Sequence, residues 1–221
     1  MKILFLDFDG VLNSKQQAIW HRRRPGARER FGRPLARLVG YAIDFLFKFQ
    51  VFPRLRARWT EFYLLHLTDH CSFCPIACSN VQYILDEVPD AYIVVSSVWR
   101  SWGLKNLRKI LARNGIDPTR VVGRTGAWED GGDQRGDQIK AWLDRHEQVV
   151  TWCQWRAGPW YGIDEAPFEV VQAFAVLDDD SDMVAVRANF VKTDYHLGCT
   201  VRDAERVIEL LDPAKKAEGS A

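Results

Sequence analysis

At 221 residues, 47% hydrophobic and 27% charged, the chain is long enough to bury a core as one domain or as a core carrying an insert. Its formal charge of +1 argues against a wholesale polyanion binder, and no apolar run approaches the roughly 20 residues of a membrane span. Five cysteines, an odd number, argue against a disulfide framework and for a reducing, cytoplasmic compartment; the Ile3 to Phe8 run, broken by Asp7 and preceded only by Lys2, makes no secretory signal.

The first expected strand, near residues 3–8, runs through Ile3-Leu4-Phe5-Leu6 directly into Asp7-Phe8-Asp9-Gly10-Val11-Leu12-Asn13. Successive strand residues alternate in direction. Where the strand ends and the chain turns, however, Asp7 and Asp9 can converge on one pocket, and Gly10 permits the turn. Two close carboxylates repel and need a cation or a shared proton, and Mg²⁺ with a substrate phosphate is the usual company of such hard oxygen ligands. One carboxylate can then attack phosphorus while the other protonates the leaving oxygen.

Residues 14–79 separate this strand from the next expected element, a helix from Asn80 to Val88. Between residues 14 and 70 there are 12 Lys and Arg against 4 Asp and Glu, while the remainder of the chain carries a net −7. The cations His21-Arg22-Arg23-Arg24, Arg28, Arg30 and Arg33 either face phosphates or form a solvated basic loop. Arg54, Arg56, Arg58 and Trp59 set cations beside an aromatic surface on which a base can stack. Leu38 to Phe52 reads as an aromatic-rich helix. Cys71, Cys74 and Cys78 have a spacing that allows a structural Zn²⁺, completed by His66, His70 or Cys153; the lack of a second Cys-x-x-Cys favours reduced, partly buried thiols.

The next expected strand, residues 91–96, closes on the hydroxyls Ser96 and Ser97, and Val98-Trp99-Arg100 follows. Arg100 is placed to grip a phosphate through its guanidinium fork, or to stand solvated at a helix start. A helix over Leu104 to Arg113, stopped by Asn114-Gly115, leads to a strand at 120–124. A helix from Gly136 to His146 keeps Ile139, Trp142 and Leu143 on one face, with Arg135 at its mouth and Lys140 one turn in. Residues 147–171, with Trp152, Trp155, Trp160 and Tyr161, line a pocket or simply pack. Ala173 to Leu177 is a further buried strand, expected over 172–178, that ends in Asp178-Asp179-Asp180-Ser181-Asp182. Four carboxylates in five residues need a cation or water. A strand at 189–193 and a helix from Val201 to Leu211, N-capped by Thr200 with Asp203 three residues on, precede a frayed tail at 213–221. Strands alternating with helices predict a parallel α/β sheet.

The Asp-x-Asp-Gly-Val segment resembles the first signature of the haloacid dehalogenase (HAD) superfamily in its phosphatase branch, and Ser-Ser-x-Trp-Arg is similar to the HAD domains of RNA-repair and polynucleotide kinase-phosphatase proteins. The resemblance implies a Rossmann-like parallel sheet with a largely helical cap inserted after the first strand: core at 1–13 and 80–212, cap at 14–79, flexible tail at 213–221. It implies Asp7 as nucleophile and Asp9 as acid and base. Ser96, with Ser97 as near alternative, would hold a phosphoryl oxygen beside Arg100. Arg135, with Lys140 as alternative, would be the basic residue. Mg²⁺ would be held by Asp7, the Asp9 carbonyl, Asp179 and its neighbour Asp178, with Asp182 as a further candidate. The implied activity is hydrolysis of a phosphomonoester at an RNA, DNA or nucleotide end. A small-molecule phosphatase and a nucleic-acid-binding module remain alternatives, and oligomeric state is not constrained.

Overall fold

The computed structural model describes residues 1–14, 73–126, 134–156 and 169–218. The chain divides into two units, Met1–Lys15 with Cys74–Ala221 and Gln16–Phe73, and the elements below all belong to the first. The basic cluster at 21–33, the Leu38 to Phe52 helix, the Arg54 to Trp59 group, His66, His70 and Cys71 lie outside the described residues, as do Trp160, Tyr161 and the side chains of Trp152, Cys153 and Trp155.

Among the described residues, β1 (Lys2–Leu6), β2 (Ala91–Val95), β3 (Val121–Arg124), β4 (Ala173–Asp178) and β5 (Phe190–Lys192) form one all-parallel sheet in the order β3-β2-β1-β4-β5. This is the expected Rossmann-like sheet, each strand shifted by a residue or two from its expected ends. The strands are short apolar runs because both faces are covered, so alternation with polar residues is absent: Ile3, Leu4, Phe5 and Leu6 are all fully buried. The chain moves outward from β1 through β2 to β3, then returns to the opposite side of β1 as β4. That reversal opens a crevice beyond the carboxyl end of β1, where ligands bind in sheets of this kind.

The helices α1 (Pro75–Glu87), α2 (Leu104–Arg113), α3 (Arg135–Arg156), α4 (Val201–Leu211) and α5 (Pro213–Glu218) accompany the sheet. The helix expected from Asn80 begins at Pro75, whose fixed φ suits the first helical position; residues 75–79, read from sequence as the end of the insert, are its first turns. Its buried face is Ala77, Cys78, Val81, Ile84 and Leu85. The helix expected to stop at His146 runs on to Arg156. α4 has both arms of the expected capping box: Thr200 Oγ1 accepts from Asp203 N, and Thr200 N donates to Asp203 Oδ2 at 2.9 Å. Of the expected tail, Pro213–Glu218 form a short helix from which Lys215 Nζ reaches back to Glu87 O at 2.7 Å; residues 219–221 lie outside the described residues. No helix among the described residues is long and apolar enough to cross a membrane.

One core cluster fixes α3 on the sheet. Phe5 meets the Trp142 ring edge-on at 5.4 Å, with Ile139, Val176 and Met183 around them. A fully buried side chain of this size contributes roughly 2–3 kcal/mol. Packing of this face therefore sets the depth at which Arg135, at the mouth of the helix, meets the sheet edge.

Candidate active site

Register brings the site together. Leu6 pairs with Val95 on one side and Leu177 on the other, so the residues that follow, Asp7, Ser96 and Asp178, stand level at one edge of the sheet. Asp7 N donates to Leu177 O and Ser96 N to Leu6 O, carrying the parallel ladder to the turn. Asp7, Asp178 and Asp179 each present a carboxylate oxygen within 4.8 Å of the others. Asp7 and Asp178 are buried, at 3% and 0% exposure, so their charges are poorly screened by water.

Gly10 makes room for the third carboxylate. Its φ is +74°, and a Cβ built there would lie 2.2 Å from the Asp179 carboxylate carbon. No L-residue with a side chain fits that conformation and that contact together. Thr193, at the end of β5, holds the same turn through Oγ1 to Gly10 O at 3.0 Å.

Arg135 is the cation of the cluster. Its Nη1 lies 3.1 Å from Asp7 Oδ1 and 2.5 Å from Asp178 Oδ2. Of the two basic candidates, the structure brings this one to the acids; Lys140 is on the exposed face of α3, paired with Asp144 at 2.9 Å. The helix mouth is pinned by Asp182, whose Oδ2 accepts from Arg135 N at 2.8 Å and whose backbone O accepts from Gly136 N at 3.1 Å. Asp182 thus caps α3, and the described structure does not place it among the clustered carboxylates as a cation ligand.

Asp9 stands apart from the three. Its Oδ1 accepts from Asn13 Nδ2 at 3.1 Å and its Oδ2 from Trp99 Nε1 at 2.9 Å. The two serines separate as well. Ser97, the alternative in the sequence reading, hydrogen-bonds Asp7, whereas Ser96 Oγ is buried with no partner. The strand ends at Val95, and the 3₁₀ turn Val98–Trp102 begins three residues on, so alternation no longer decides which hydroxyl faces the crevice.

Burial and the Asp178 carboxylate push Asp7 up to about 7, against the pull of Arg135. Burial likewise raises Asp178 and Asp179. Despite the cost of its own burial, Arg135 is held in its charged form by Asp7 and Asp178. With all three acids ionised, one guanidinium leaves the cluster two charges short of neutral. Hard oxygen donors with that deficit fit a divalent cation such as Mg²⁺. Arg100 is half-buried behind the cluster, its Nη1 on Ser96 O at 2.8 Å, and burial together with the charge of Arg135 lowers its pKa. Arg124, at the end of β3, donates to Arg100 O at 2.9 Å. The sequence reading missed Asn13, Trp99, Arg124 and Thr193 as site residues. Trp99 alone carried a signal, its place two residues after Ser97.

Cys74 is half-buried, and Cys78 and Cys199 are buried; all three are free thiols. Burial pushes Cys78 up to about 12 and likewise raises Cys199. Among the described residues they do not form a metal-ligating group.

An all-parallel α/β sheet that gathers acids from two neighbouring strand ends around one helix-borne arginine is the architecture of the haloacid dehalogenase superfamily. Within it the chain belongs to the family described as the HAD domain in Swiss Army Knife RNA repair proteins, whose model matches residues 3–155. That stretch includes Asp7, Asp9, Ser97, Arg100 and Arg135; Asp178 and Asp179 lie beyond it. No curated protein and no solved structure matches the chain.

Proposed function

We propose that the chain is a Mg²⁺-dependent phosphomonoester hydrolase that acts on the phosphorylated end of a nucleic acid or nucleotide. The observation that carries the reading is the convergence of Asp7, Asp178 and Asp179 on one point, with Arg135 3.1 Å from Asp7 Oδ1. Asp7, Asp178 and Asp179 would hold the cation, which when bound offsets negative charge on carboxylates and phosphate.

An Asp7 carboxylate oxygen attacks phosphorus in line, and the bond to the leaving oxygen breaks as Asp9 gives that oxygen a proton. Asp9, now a carboxylate, takes a proton from water as that water attacks the phosphoryl group on Asp7, which releases inorganic phosphate and restores both acids. Arg135 and Ser97 hold the transferring oxygens; catalysis of this kind is mostly positioning and charge stabilisation.

Three features support a nucleic-acid end. The family is one of RNA repair proteins. Arg100 and Arg124 add two guanidiniums beyond the one at the acids. Between residues 14 and 70 there are 12 Lys and Arg against 4 Asp and Glu.

Turnover with Mg²⁺ of a 3′-phosphorylated oligonucleotide, a nucleoside monophosphate and an aryl phosphate tests the reading. Preference for the oligonucleotide supports it. Equal or better use of the nucleotide assigns a small-molecule phosphatase. No turnover of any, with salt-sensitive oligonucleotide binding, assigns a binding module.

A further inference from the structure

Asp9 is held more tightly than a proton donor on a flexible loop, and its holder is an indole. Trp99 Nε1 donates to Asp9 Oδ2 at 2.9 Å, while Asn13 Nδ2 takes Oδ1 at 3.1 Å, so both oxygens of the carboxylate are fixed in direction. The indole is itself clamped. The Phe8 ring meets it at 5.6 Å and 62°, and Trp102 packs on it at 4.5 Å and 40°. Its backbone N is capped by Ser97 Oγ at 3.4 Å. Since Ser97 also hydrogen-bonds Asp7, one short turn, Ser97 to Trp102, touches both acids.

An indole N–H is a donor only. It cannot relay a proton to or from Asp9, but it can aim the carboxylate. Aim matters in proportion to how much the leaving oxygen needs a proton. A sugar alkoxide is a strong base and departs poorly without one, whereas a nitrophenolate departs readily as the anion.

We propose that Trp99 is the positioning residue that aims Asp9 at the leaving oxygen, and so matches the site to alkyl phosphomonoesters such as those on a sugar hydroxyl. The assignment rests on the phosphatase reading above. Removal of the N–H alone affects the step in which the leaving group departs, which kcat/KM reports because it covers events up to that departure.

The test replaces Trp99 by Phe, keeping an aromatic ring between Phe8 and Trp102, and measures kcat/KM with Mg²⁺ for a nucleoside 3′-monophosphate and for p-nitrophenyl phosphate. Site-specific exchange of the Trp99 indole for benzothiophene, which keeps the shape and lacks the N–H, provides the second variant should Trp99→Phe misfold. The expected result is a loss of about 10- to 100-fold for the nucleotide, with the aryl phosphate changed by less than about threefold. Equal losses for both substrates make Trp99 a packing residue and overturn the proposal. An unchanged ratio with no loss overturns it too. A parent protein that releases phosphate from neither substrate nor from a 3′-phosphorylated oligonucleotide overturns the phosphatase reading itself, and the assignment with it; where only the oligonucleotide is turned over, it takes the nucleotide's place in the comparison.

Discussion

Asp179 rests against Gly10 so closely that a single methyl group on Gly10 would lie 2.2 Å from its carboxylate carbon, in a backbone with φ of +74°. The glycine of the first acidic turn is thus the floor on which an acid of the fourth strand sits. Gly10→Ala must either push Asp179 out of the cluster or distort the turn, at a backbone cost on the order of 1–3 kcal/mol. Calorimetric titration should show Mg²⁺ affinity lower by at least about tenfold, with a reduced melting temperature. An unchanged affinity would remove Asp179 from the cation site.

Arg135 touches two buried carboxylates, and Lys140 touches only Asp144 at the surface. Arg135→Ala leaves Asp7 and Asp178 buried and unneutralised, a change that typically destabilises by about 3–5 kcal/mol. Denaturant unfolding should register that loss, and Mg²⁺ should restore part of it by replacing the missing charge. Lys140→Ala should leave both unfolding and turnover unchanged. The opposite ranking of the two variants would make Lys140 the functional base.

The acids also set a pH dependence. Burial and Asp178 raise Asp7 to about 7, and burial raises Asp178 and Asp179, so the folded metal-free protein holds these protons more tightly than the unfolded chain. Their protonated forms favour the fold below the ordinary carboxylate range. For Asp7 that advantage is lost as pH rises through about 7, when its buried charge appears. A bound cation compensates the buried charges, so the gap in melting temperature between Mg²⁺-loaded and chelator-treated protein should widen from pH 6 to pH 8. A gap that narrows over that range would show that the cation binds elsewhere.

The serines offer a paired test. Ser97 hydrogen-bonds Asp7, and Ser96 Oγ is buried without a partner. Ser97→Ala should lower turnover by about 10-fold or more. Ser96→Ala removes an unsatisfied buried hydroxyl and should be neutral or slightly stabilising. A larger loss of turnover from Ser96→Ala, measured on the same substrate, would reverse the assignment.

Much of the site was legible in the sequence because its acids terminate apolar runs. Ile3 to Leu6 and Ala173 to Leu177 read as buried strands, and side by side in a parallel sheet they deliver their next residues, Asp7 and Asp178, to one edge. Arg135 was legible for a similar reason, as the residue at the mouth of an amphipathic helix. What lay beyond the sequence depended on directions within turns. That Ser97 rather than Ser96 meets Asp7 depends on a 3₁₀ turn that starts at Val98, three residues after the strand's last residue. The role of Asp182 as a cap for α3 depends on a loop 47 residues away along the chain. Trp99 reaches Asp9 across 90 residues of sequence, and periodicity carries no information about such a contact. The early start of α1 could have been read from Pro75, whose preference for a first helical position is local.

The most direct test of the account is release of inorganic phosphate from a 3′-phosphorylated oligonucleotide in Mg²⁺, compared between the parent protein and Asp7→Asn. Asn keeps the shape of Asp7 but is a far weaker nucleophile, so the variant should fold, melt at pH 8 no lower than the chelator-treated parent, and lose turnover by on the order of 10³-fold or more. Phosphate release by Asp7→Asn at a rate near that of the parent would contradict the central claim.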